Sequence, residues 1–287
     1  MQQARDEYDV RLLCELLELS HSSLYYTLIE VDDSWLRRTI ETICLKKPRY
    51  GYRRVTNLLH RAGVEIGLDK VRCLMAEMGL SVKRSRRKIQ TTQSGEGKPL
   101  YPNLIKGLEI TRPEQVWCGD ITFIPLANGK TAYLAVLIDV FTRMVRGWSL
   151  ERDMSVKLIN QALDKALTKG VYPKIHHSDH GGQYVAKNYR DRLTPLNSRI
   201  SMADKGKPWH NPFIESAIGH LKDELVWLEE FTDFQHAYES LSHFLSVVYN
   251  SQRPHSSLGY LTPTEFETQY QAQQVHSSYE SSRLQTN

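Results

Sequence analysis

Long apolar runs, paired cysteines and a leader-like start are all missing from this sequence of 287 residues. No apolar stretch reaches the roughly 18 residues that a membrane-spanning helix needs. The four cysteines, Cys14, Cys44, Cys73 and Cys118, form no C-x-x-C pair, so neither a zinc knuckle nor a disulfide framework is indicated. The first residues lack the charged-then-apolar pattern of a signal peptide. These absences predict a cytoplasmic protein without a membrane partner.

Charge is low overall but unevenly distributed. The formal net charge is only +4. Between Lys46 and Lys88, however, there are thirteen Lys and Arg residues and only three acids, Glu65, Asp69 and Glu77. This segment therefore has a local excess of ten (thirteen minus three) positive charges. Such an excess favours a polyanionic partner, although a solvated basic surface is the alternative.

The N-terminal third has the pattern of short helices. Apolar spacing predicts two helices within 9–30, one over 33–46 and two within 50–80. The first helix of the last pair is expected to end at Gly63, and the second to begin at a capping Asp69 and end at Gly79. Two short helices with a brief connector in a basic segment are typical of a helix-turn-helix.

A basic run follows this pair: Lys83, Arg84, Arg86, Arg87 and Lys88. These side chains could lie along a phosphate backbone, or they could belong to a solubilising linker. We therefore predict a helical DNA-binding region over 1–90 and a linker over 91–109.

The pattern changes near Trp117 to alternating strands and helices. Strands are predicted at 116–126, 131–140, 143–150, 174–178 and 199–202, with helices over 155–169 and near 188–196. The order indicates an α/β domain, a mixed five-stranded sheet flanked by helices, over 110–270. The tail over 271–287 is expected to be flexible and frayed.

Three acids occupy unusual positions in this domain. Asp120 lies inside an apolar strand, where an unpaired acid is costly. Asp179 comes directly after a strand and before two glycines. Glu215 is expected in the first helical turn, after a capping Asn211 and Pro212 at the first helical position.

Three such acids could converge on Mg²⁺ or Mn²⁺, which prefer oxygen ligands, and two ions would suit phosphoryl transfer. Taken singly, each has a structural alternative. Asp179 could cap a helix, Glu215 could be a surface residue, and Asp120 could bond backbone amides.

Lys222 lies seven residues after Glu215, about two helical turns, so both project from nearly the same face. A cation there is suited to hold a DNA phosphate. Glu224 falls on the opposite side of a regular helix, so we do not assign it to the metal ions.

The motifs around the acids resemble a known family. Asp120 and Asp179 are separated by 58 residues, and Asp179 and Glu215 by 35. The motifs are W-x-x-D-I-T at 117–122, H-S-D-x-G-x-Q-Y at 177–184, E-S-x-x-x-x-L-K-x-E at 215–224, Y-N-x-x-R-P-H at 249–255 and Y-G-Y-R-R at 50–54. Over roughly 10–267, this set resembles the OrfB-type DDE transposases of bacterial insertion sequence three elements, with a core similar to that of retroviral integrases.

The resemblance implies an RNase H-like fold and a catalytic triad of Asp120, Asp179 and Glu215 that binds two Mg²⁺ or Mn²⁺ ions. It implies cleavage of the ends of the element and transfer of the 3′-hydroxyl strand into target DNA. The implied partners are double-stranded DNA with terminal inverted repeats, target DNA, further copies of the chain on paired ends, and an upstream-frame (OrfA-type) protein or fusion.

Two departures from the family pattern concern histidines. The family usually has Asp-Asn where this chain has His210-Asn211, and a basic Arg or Lys where it has His180. We expect them to affect contacts with terminal bases and pH dependence rather than the reaction class. The adjacent His176 and His177 invite a zinc interpretation, but neighbouring histidines rarely share one ion and no cysteine is near.

Further residues are predicted to contact DNA. The candidates are Arg53, Arg54, Arg72, the run 83–88, His180, Asn211, Lys222 and Arg253, with Tyr184 and Trp209 as candidates for base stacking. Two other functions stay open: a non-catalytic regulator or transposase relic that binds the ends of the element, and an RNase H-like nuclease that only cuts. A strand-transfer assay separates joining from cutting.

Overall fold

The computed structural model describes residues 11, 14–15, 20, 32–82, 100–127, 129–168, 170–179, 181–204 and 210–284. Most of the predicted helices within 9–30, the basic run 83–88, His180 and Trp209 lie outside the described residues. The chain divides into two compact units, Met1–Ile43 and Cys44–Asn287. No helix among the described residues is both long enough and apolar enough to cross a membrane.

Three helices precede the sheet: α1 (Ser34–Lys46), α2 (Tyr52–Arg61) and α3 (Leu68–Glu77). The predicted end signals are confirmed, since Gly63 and Gly79 adopt φ of 81° and 69° just beyond α2 and α3. The prediction of a capping Asp69 is wrong. Gly67 occupies the cap position and Asp69 lies in the first turn, where a carboxylate still favours the helix dipole.

The α2 and α3 helices pack on each other through their apolar stripes. Val55, Thr56 and Leu59 are the buried residues of α2, and Val71, Leu74 and Met75 are those of α3. The helical pair predicted within 50–80 is confirmed.

The sheet has five strands, as predicted, and the structure gives their order as β3-β2-β1-β4-β5. Their bounds are β1 Val116–Pro125, β2 Thr131–Asp139, β3 Val145–Glu151, β4 Ile175–Ser178 and β5 Arg199–Met202. The strands β1, β2 and β3 pair antiparallel, whereas β1, β4 and β5 pair parallel. The carboxyl ends of β1 and β4 therefore point the same way.

Helices cover both faces of the sheet. On one face lie α4 (Val156–Leu167), α5 (Gly182–Val185) and α6 (Lys187–Leu193). On the other lie α7 (Pro212–Leu221), α8 (Phe234–His243) and two π-helical segments, Lys222–Val226 and Phe244–Gln252. Because both faces are covered, strands such as β2 and β3 are nearly all buried.

Two segments outside the sheet contact the core. The helix α9 runs from Pro263 to Leu284 and so extends into the segment 271–287, whose predicted flexibility stays a prediction. Both side-chain oxygens of its Glu267 accept hydrogen bonds from the buried Arg146, at 2.7 and 3.1 Å. Part of the predicted linker also packs on the core, because Leu104 and Ile105 join its apolar cluster.

Candidate active site

Asp120 lies in the middle of β1, between antiparallel β2 and parallel β4. One of its carboxylate oxygens, Oδ1, accepts a hydrogen bond from the backbone N–H of Ile121 at 2.8 Å. That is the backbone interaction considered from the sequence. It leaves the other oxygen available.

Asp179 is the first residue after β4, the strand that pairs in parallel with β1. In the β1–β4 register Gly119 is opposite Ser178, so Asp120 and Asp179 are the next residues along two parallel neighbours. The Oδ1 atom of Asp179 accepts a hydrogen bond from the Gly181 N–H at 2.9 Å. This turn is close-fitting, because a Cβ on Gly181 would lie 3.0 Å from the same oxygen.

Glu215 lies in the first turn of α7, as predicted, and its side chain is exposed. Pro212 occupies the first helical position and Asn211 the N-cap position, but the Asn211 side chain does not cap the helix. Its Nδ2 instead donates a hydrogen bond to the carbonyl of Gly119 at 3.3 Å. Asn211 thereby ties the start of α7 to the strand residue beside Asp120.

The charges of Asp179 and Glu215 act on Asp120. The pKa of Asp120 is raised to about 7, mainly by burial and then by the charges of Asp179 and Glu215, whereas the Ile121 N–H and Lys222 lower it. Burial also raises the pKa of Glu215. Asp120 thus sits where negative charge is concentrated and where a cation would relieve the repulsion.

The donor set fits a divalent cation by its chemistry. Aspartate and glutamate oxygens are the ligands that Mg²⁺ and Mn²⁺ prefer, and two further acids add to the effect of burial on the pKa of Asp120. Within the described part of the chain, no three His, Cys, Asp or Glu side chains form a ready metal-binding cluster. To hold one ion between them, the three acids would have to bring their side chains closer together.

Lys222 begins the π-helical turn that follows α7. Its Nζ atom lies 4.2 Å from the ring centroid of Phe123 on β1. Burial lowers the pKa of Lys222, whereas the negative charge of Asp120 raises it. The interaction with Asp120 places this cation close to that acid.

Two buried polar atoms near the acids have no hydrogen-bond partner among the described residues, Oδ1 of Asn211 and the hydroxyl oxygen of Tyr184. Both residues adjoin Gly119, whose carbonyl bonds Asn211 and whose Cα faces the Tyr184 hydroxyl. Tyr184 is only 2% exposed, so the prediction that it stacks on a DNA base is wrong.

His176 and His177 use their ring nitrogens inside the core. His176 Nε2 lies 2.8 Å from the Tyr189 hydroxyl, and burial lowers the pKa of His176 to about 3. His177 Nε2 donates to the carbonyl of His210 at 3.1 Å, and its Nδ1 lies 2.8 Å from Ser201 Oγ. This series of hydrogen bonds joins β4 and β5 to the segment that leads into α7.

Arg253 was predicted to contact DNA, and the structure corrects this. Its side chain is fully buried, and its Nε and Nη2 donate to the Glu224 carboxylate at 2.8 to 3.1 Å. Arg54 of α2 donates to the same carboxylate at 2.8 Å. Glu224 lies in the π-helical turn. Because a π-helix has more residues per turn than an α-helix, the Glu224 side chain does not point in the direction that a regular helix would give it.

Three of the remaining predicted DNA contacts lie on α2 and α3. Arg53 and Arg72 are exposed on α2 and α3, and Arg72 pairs with Asp69 at 3.0 Å. Arg54 is largely engaged by Glu224.

The His210 ring lies beside Asp204, with Nδ1 and Oδ2 3.4 Å apart. The Glu224–Arg253 pair was missed from the sequence although both residues stand in the quoted motifs.

Comparison with known proteins identifies the parts of the chain. An integrase core domain model matches residues 110–208, a second integrase core domain model matches 196–263, and an HTH-like domain model matches 30–88. The HTLV-2 integrase catalytic core domain in complex with magnesium aligns with 54% of this chain and 97% of that chain, at 16% identity and a TM-score of 0.43.

Two transposases are similar over most of the sequence. The transposase for insertion sequence element IS904 of Lactococcus lactis subsp. lactis (strain IL1403) is 37% identical over 225 residues, 77% of this chain and 88% of that protein. Transposase InsF for insertion sequence IS3A of Escherichia coli (strain K12) is 31% identical over 274 residues, 91% of this chain and 94% of that protein. The chain therefore belongs to the IS3 family of DDE transposases, polynucleotidyl transferases with an RNase H-like integrase core.

Proposed function

We propose that this transposase cuts the ends of its element and joins them to target DNA with Asp120, Asp179 and Glu215 as its catalytic acids. The observation that carries the proposal is the position of Asp120 and Asp179 at matching points of two parallel neighbours, with the pKa of Asp120 raised by burial and by the other acids. Integrase core domains are generally divalent-metal dependent.

Asp120, Asp179 and Glu215 would hold two Mg²⁺ or Mn²⁺ ions. When bound, these ions would supply the Lewis acidity that in-line phosphoryl transfer needs. Lys222 would hold a DNA phosphate beside the acids. The three carboxylates would keep their ligand positions through both reactions.

The proposed chemistry has two balanced steps. Water attacks a phosphodiester at the end of the element, and the bond to the 3′ oxygen breaks, which leaves a 3′-hydroxyl and a 5′-phosphate. That hydroxyl attacks a phosphodiester of the target, so one phosphodiester forms as another breaks and a target 3′-hydroxyl leaves. Neither step needs a covalent protein–DNA intermediate.

The partners would be double-stranded element ends and target DNA in the cytoplasm. Arg53, Arg72 and the run 83–88 would contact phosphates away from the acids. His180 and Asn211 would contact DNA close to them. We further propose that two or more copies act on paired ends, with an upstream-frame protein as partner or fusion. No finding favours the alternative of a non-catalytic regulator.

The first test compares wild type with Asp179→Asn on a labelled element-end duplex with Mg²⁺. Wild type should cut and join, and the variant should lose about 10³-fold or more in rate, since metal catalysis contributes several kcal/mol. Asp191→Asn, an exposed acid on α6, is the matched control and should retain full activity.

Binding of the duplex by both proteins, measured by gel shift, should persist. If wild type binds the duplex but neither cuts nor joins it, even with the upstream-frame protein added, the catalytic proposal fails and the regulator gains. Cutting without joining would favour a nuclease.

A further inference from the structure

One end of α2 is held by the integrase core through Arg54. Its Nη1 atom donates a hydrogen bond to Glu224 Oε1 at 2.8 Å, and the two side chains are only 21% and 8% exposed. The buried Arg253 donates to the same carboxylate. The Arg54 guanidinium also lies over the ring of Tyr50, with its Cζ atom 5.0 Å from the ring centroid. Arg54 is therefore bound by the core rather than left in solvent.

The other end of α2 makes a second contact. Arg61, the last residue of the helix, donates through Nη2 to the Glu265 carboxylate at 2.5 Å and to the Tyr260 carbonyl at 3.3 Å. Arg54 and Arg61 are seven residues apart, so about 10 Å of helix axis separates the two contacts. A helix held at two such points resists turning about either one. The Arg61 contact is exposed and contributes little energy, so the direction of α2 depends mainly on Arg54.

The position of α2 determines the position of α3. The two helices pack on each other through their buried apolar stripes, and both lie within the residues 30–88 that match the HTH-like domain. Arg53 of α2 and Arg72 of α3 are exposed, and both are proposed above to contact DNA phosphates. Contacts that hold α2 therefore also hold these two side chains at a set place relative to the integrase core.

Glu224, the partner of Arg54, belongs to the same helical segment as two of the proposed functional groups. Lys222 is both the C-cap residue of α7 and the first residue of the π-helical turn, so the turn continues α7 without a break. One continuous segment therefore carries Glu215, Lys222 and Glu224. The hydrogen bond from Arg54 connects the helical pair directly to the segment that presents a proposed catalytic acid.

We propose that Arg54 is a positioning residue, whose contact with Glu224 sets which phosphodiester of a bound element end reaches the catalytic acids. The inference rests on the proposed function of those acids. DNA bound by α2 and α3 is held at a fixed distance from Glu215, because α2 is joined to the core. Catalysis is sensitive to such placement, since a shift of about 1 Å can cost about 10²-fold in rate. The length of the predicted linker over 91–109 then does not set the cleavage position.

The test compares wild type with Arg54→Met, Arg54→Lys and the matched control Arg53→Met, which removes the same charge from the preceding position of α2. An end-labelled element-end duplex with Mg²⁺ reports the cleavage position to the nucleotide, and gel shift reports binding. Arg54→Met should bind like wild type but cut at least about tenfold more slowly and at several neighbouring phosphodiesters. Arg54→Lys keeps a cation for Glu224 and should return most cleavage to the wild-type position. Arg53→Met should bind more weakly, with a salt dependence lower by about one phosphate contact, yet cut at the wild-type position.

A further variant keeps the Arg54 contact and lengthens the linker by about six Gly and Ser residues after Gly97. This variant should cut at the wild-type position, because the contact rather than the linker sets the distance. It also tests the inference if melting temperatures show that Arg54→Met does not fold.

Two results would overturn the inference. One is cleavage at the wild-type position and rate in Arg54→Met, and the other is a cleavage position that moves with the length of the linker. In either case only the role of Arg54 fails, because the cutting itself supports the proposed function.

If wild type binds the duplex but does not cut it, the proposed function fails, and hydroxyl-radical footprinting then tests the role of Arg54. Protection that becomes less sharply defined along the duplex in Arg54→Met would support that role. Identical footprints of wild type and Arg54→Met would overturn it.

Discussion

Asp120 and Glu224 are both withdrawn from solvent within the same compact unit, and their pKa values move in opposite directions. The pKa of Asp120 rises to about 7 because burial and two neighbouring acids oppose its charge. Burial alone would raise the pKa of Glu224 too, but Arg253 and Arg54 hold it below its ordinary value. The difference lies in the partners, because the fold gives Glu224 two arginines and gives Asp120 further acids.

The two regions therefore have different roles. The Glu224 cluster, Glu224 with Arg253 and Arg54, is electrostatically complete and joins α2 to the turn after α7. The acid site, Asp120 with Asp179 and Glu215, is electrostatically incomplete. A buried carboxylate with its own arginines indicates a structural contact, whereas a group of carboxylates without them indicates a site for an external cation.

The largest effect should come from breaking the Glu224 cluster. Arg253→Met leaves a buried carboxylate with only Arg54, and removing one partner of a buried pair costs about 3 to 5 kcal/mol in the free energy of unfolding. Urea denaturation measures this loss. Adding Glu224→Gln should recover part of it, because the uncompensated charge is then removed. A loss below about 0.5 kcal/mol for Arg253→Met would show that the pair is not structural.

Asp120→Asn should change the free energy of unfolding by a smaller amount and in the opposite direction, when measured in metal-free buffer. The folded pKa of Asp120 lies above its unfolded value, so its contribution to stability falls as pH rises from about 4 to about 7. Asp120→Asn should therefore gain stability relative to wild type across that range. Urea denaturation at pH 5 and pH 8 in EDTA measures the gain.

Glu224→Gln is the control for that experiment. The folded pKa of Glu224 is lowered, so its contribution is present above its unfolded pKa and is lost as pH falls. This variant should therefore lose stability relative to wild type at neutral pH. If Asp120→Asn and Glu224→Gln change stability in the same direction between pH 5 and pH 8, the contrast between the two regions is wrong.

The smallest effect is expected at a second ion pair of α2. Arg61 donates to Glu265 of α9 at 2.5 Å, but the two side chains are 34% and 42% exposed. Exposed pairs contribute roughly 0 to 1 kcal/mol, so Arg61→Ala should change the free energy of unfolding by less than about 1 kcal/mol. A change as large as that of Arg253→Met would mean that exposure does not distinguish these contacts.

Local signals predicted the elements well. The glycines after α2 and α3 marked both helix ends, and the bounds of the five strands agree with the apolar runs within a few residues. Local signals did not predict which charged side chains are buried and which are exposed. Arg253 has the same charge as Arg53, and only the fold buries one against Glu224 and exposes the other.

The α9 helix illustrates the same limit from another direction. Its Gln- and Ser-rich sequence lacks an apolar stripe, and only its residues after 270 were predicted to form a flexible tail. Contacts made far away in sequence anchor its first turns, since Glu267 binds Arg146 of β3 and Phe266 packs on Phe141 at 5.4 Å between ring centroids. Such tertiary contacts override local preference.

The sequence alone determined the family and the α/β order and led to the proposal of the three acids, because short motifs and apolar periods are properties of neighbouring residues. Only the tertiary structure decided which charges are compensated. It put two arginines on Glu224 and left Asp120 beside other acids. It also gave the Tyr189 hydroxyl a partner in His176, whereas the Tyr184 hydroxyl has none among the residues that the structure describes. Burial and pairing depend on residues distant in the chain, which no local pattern records.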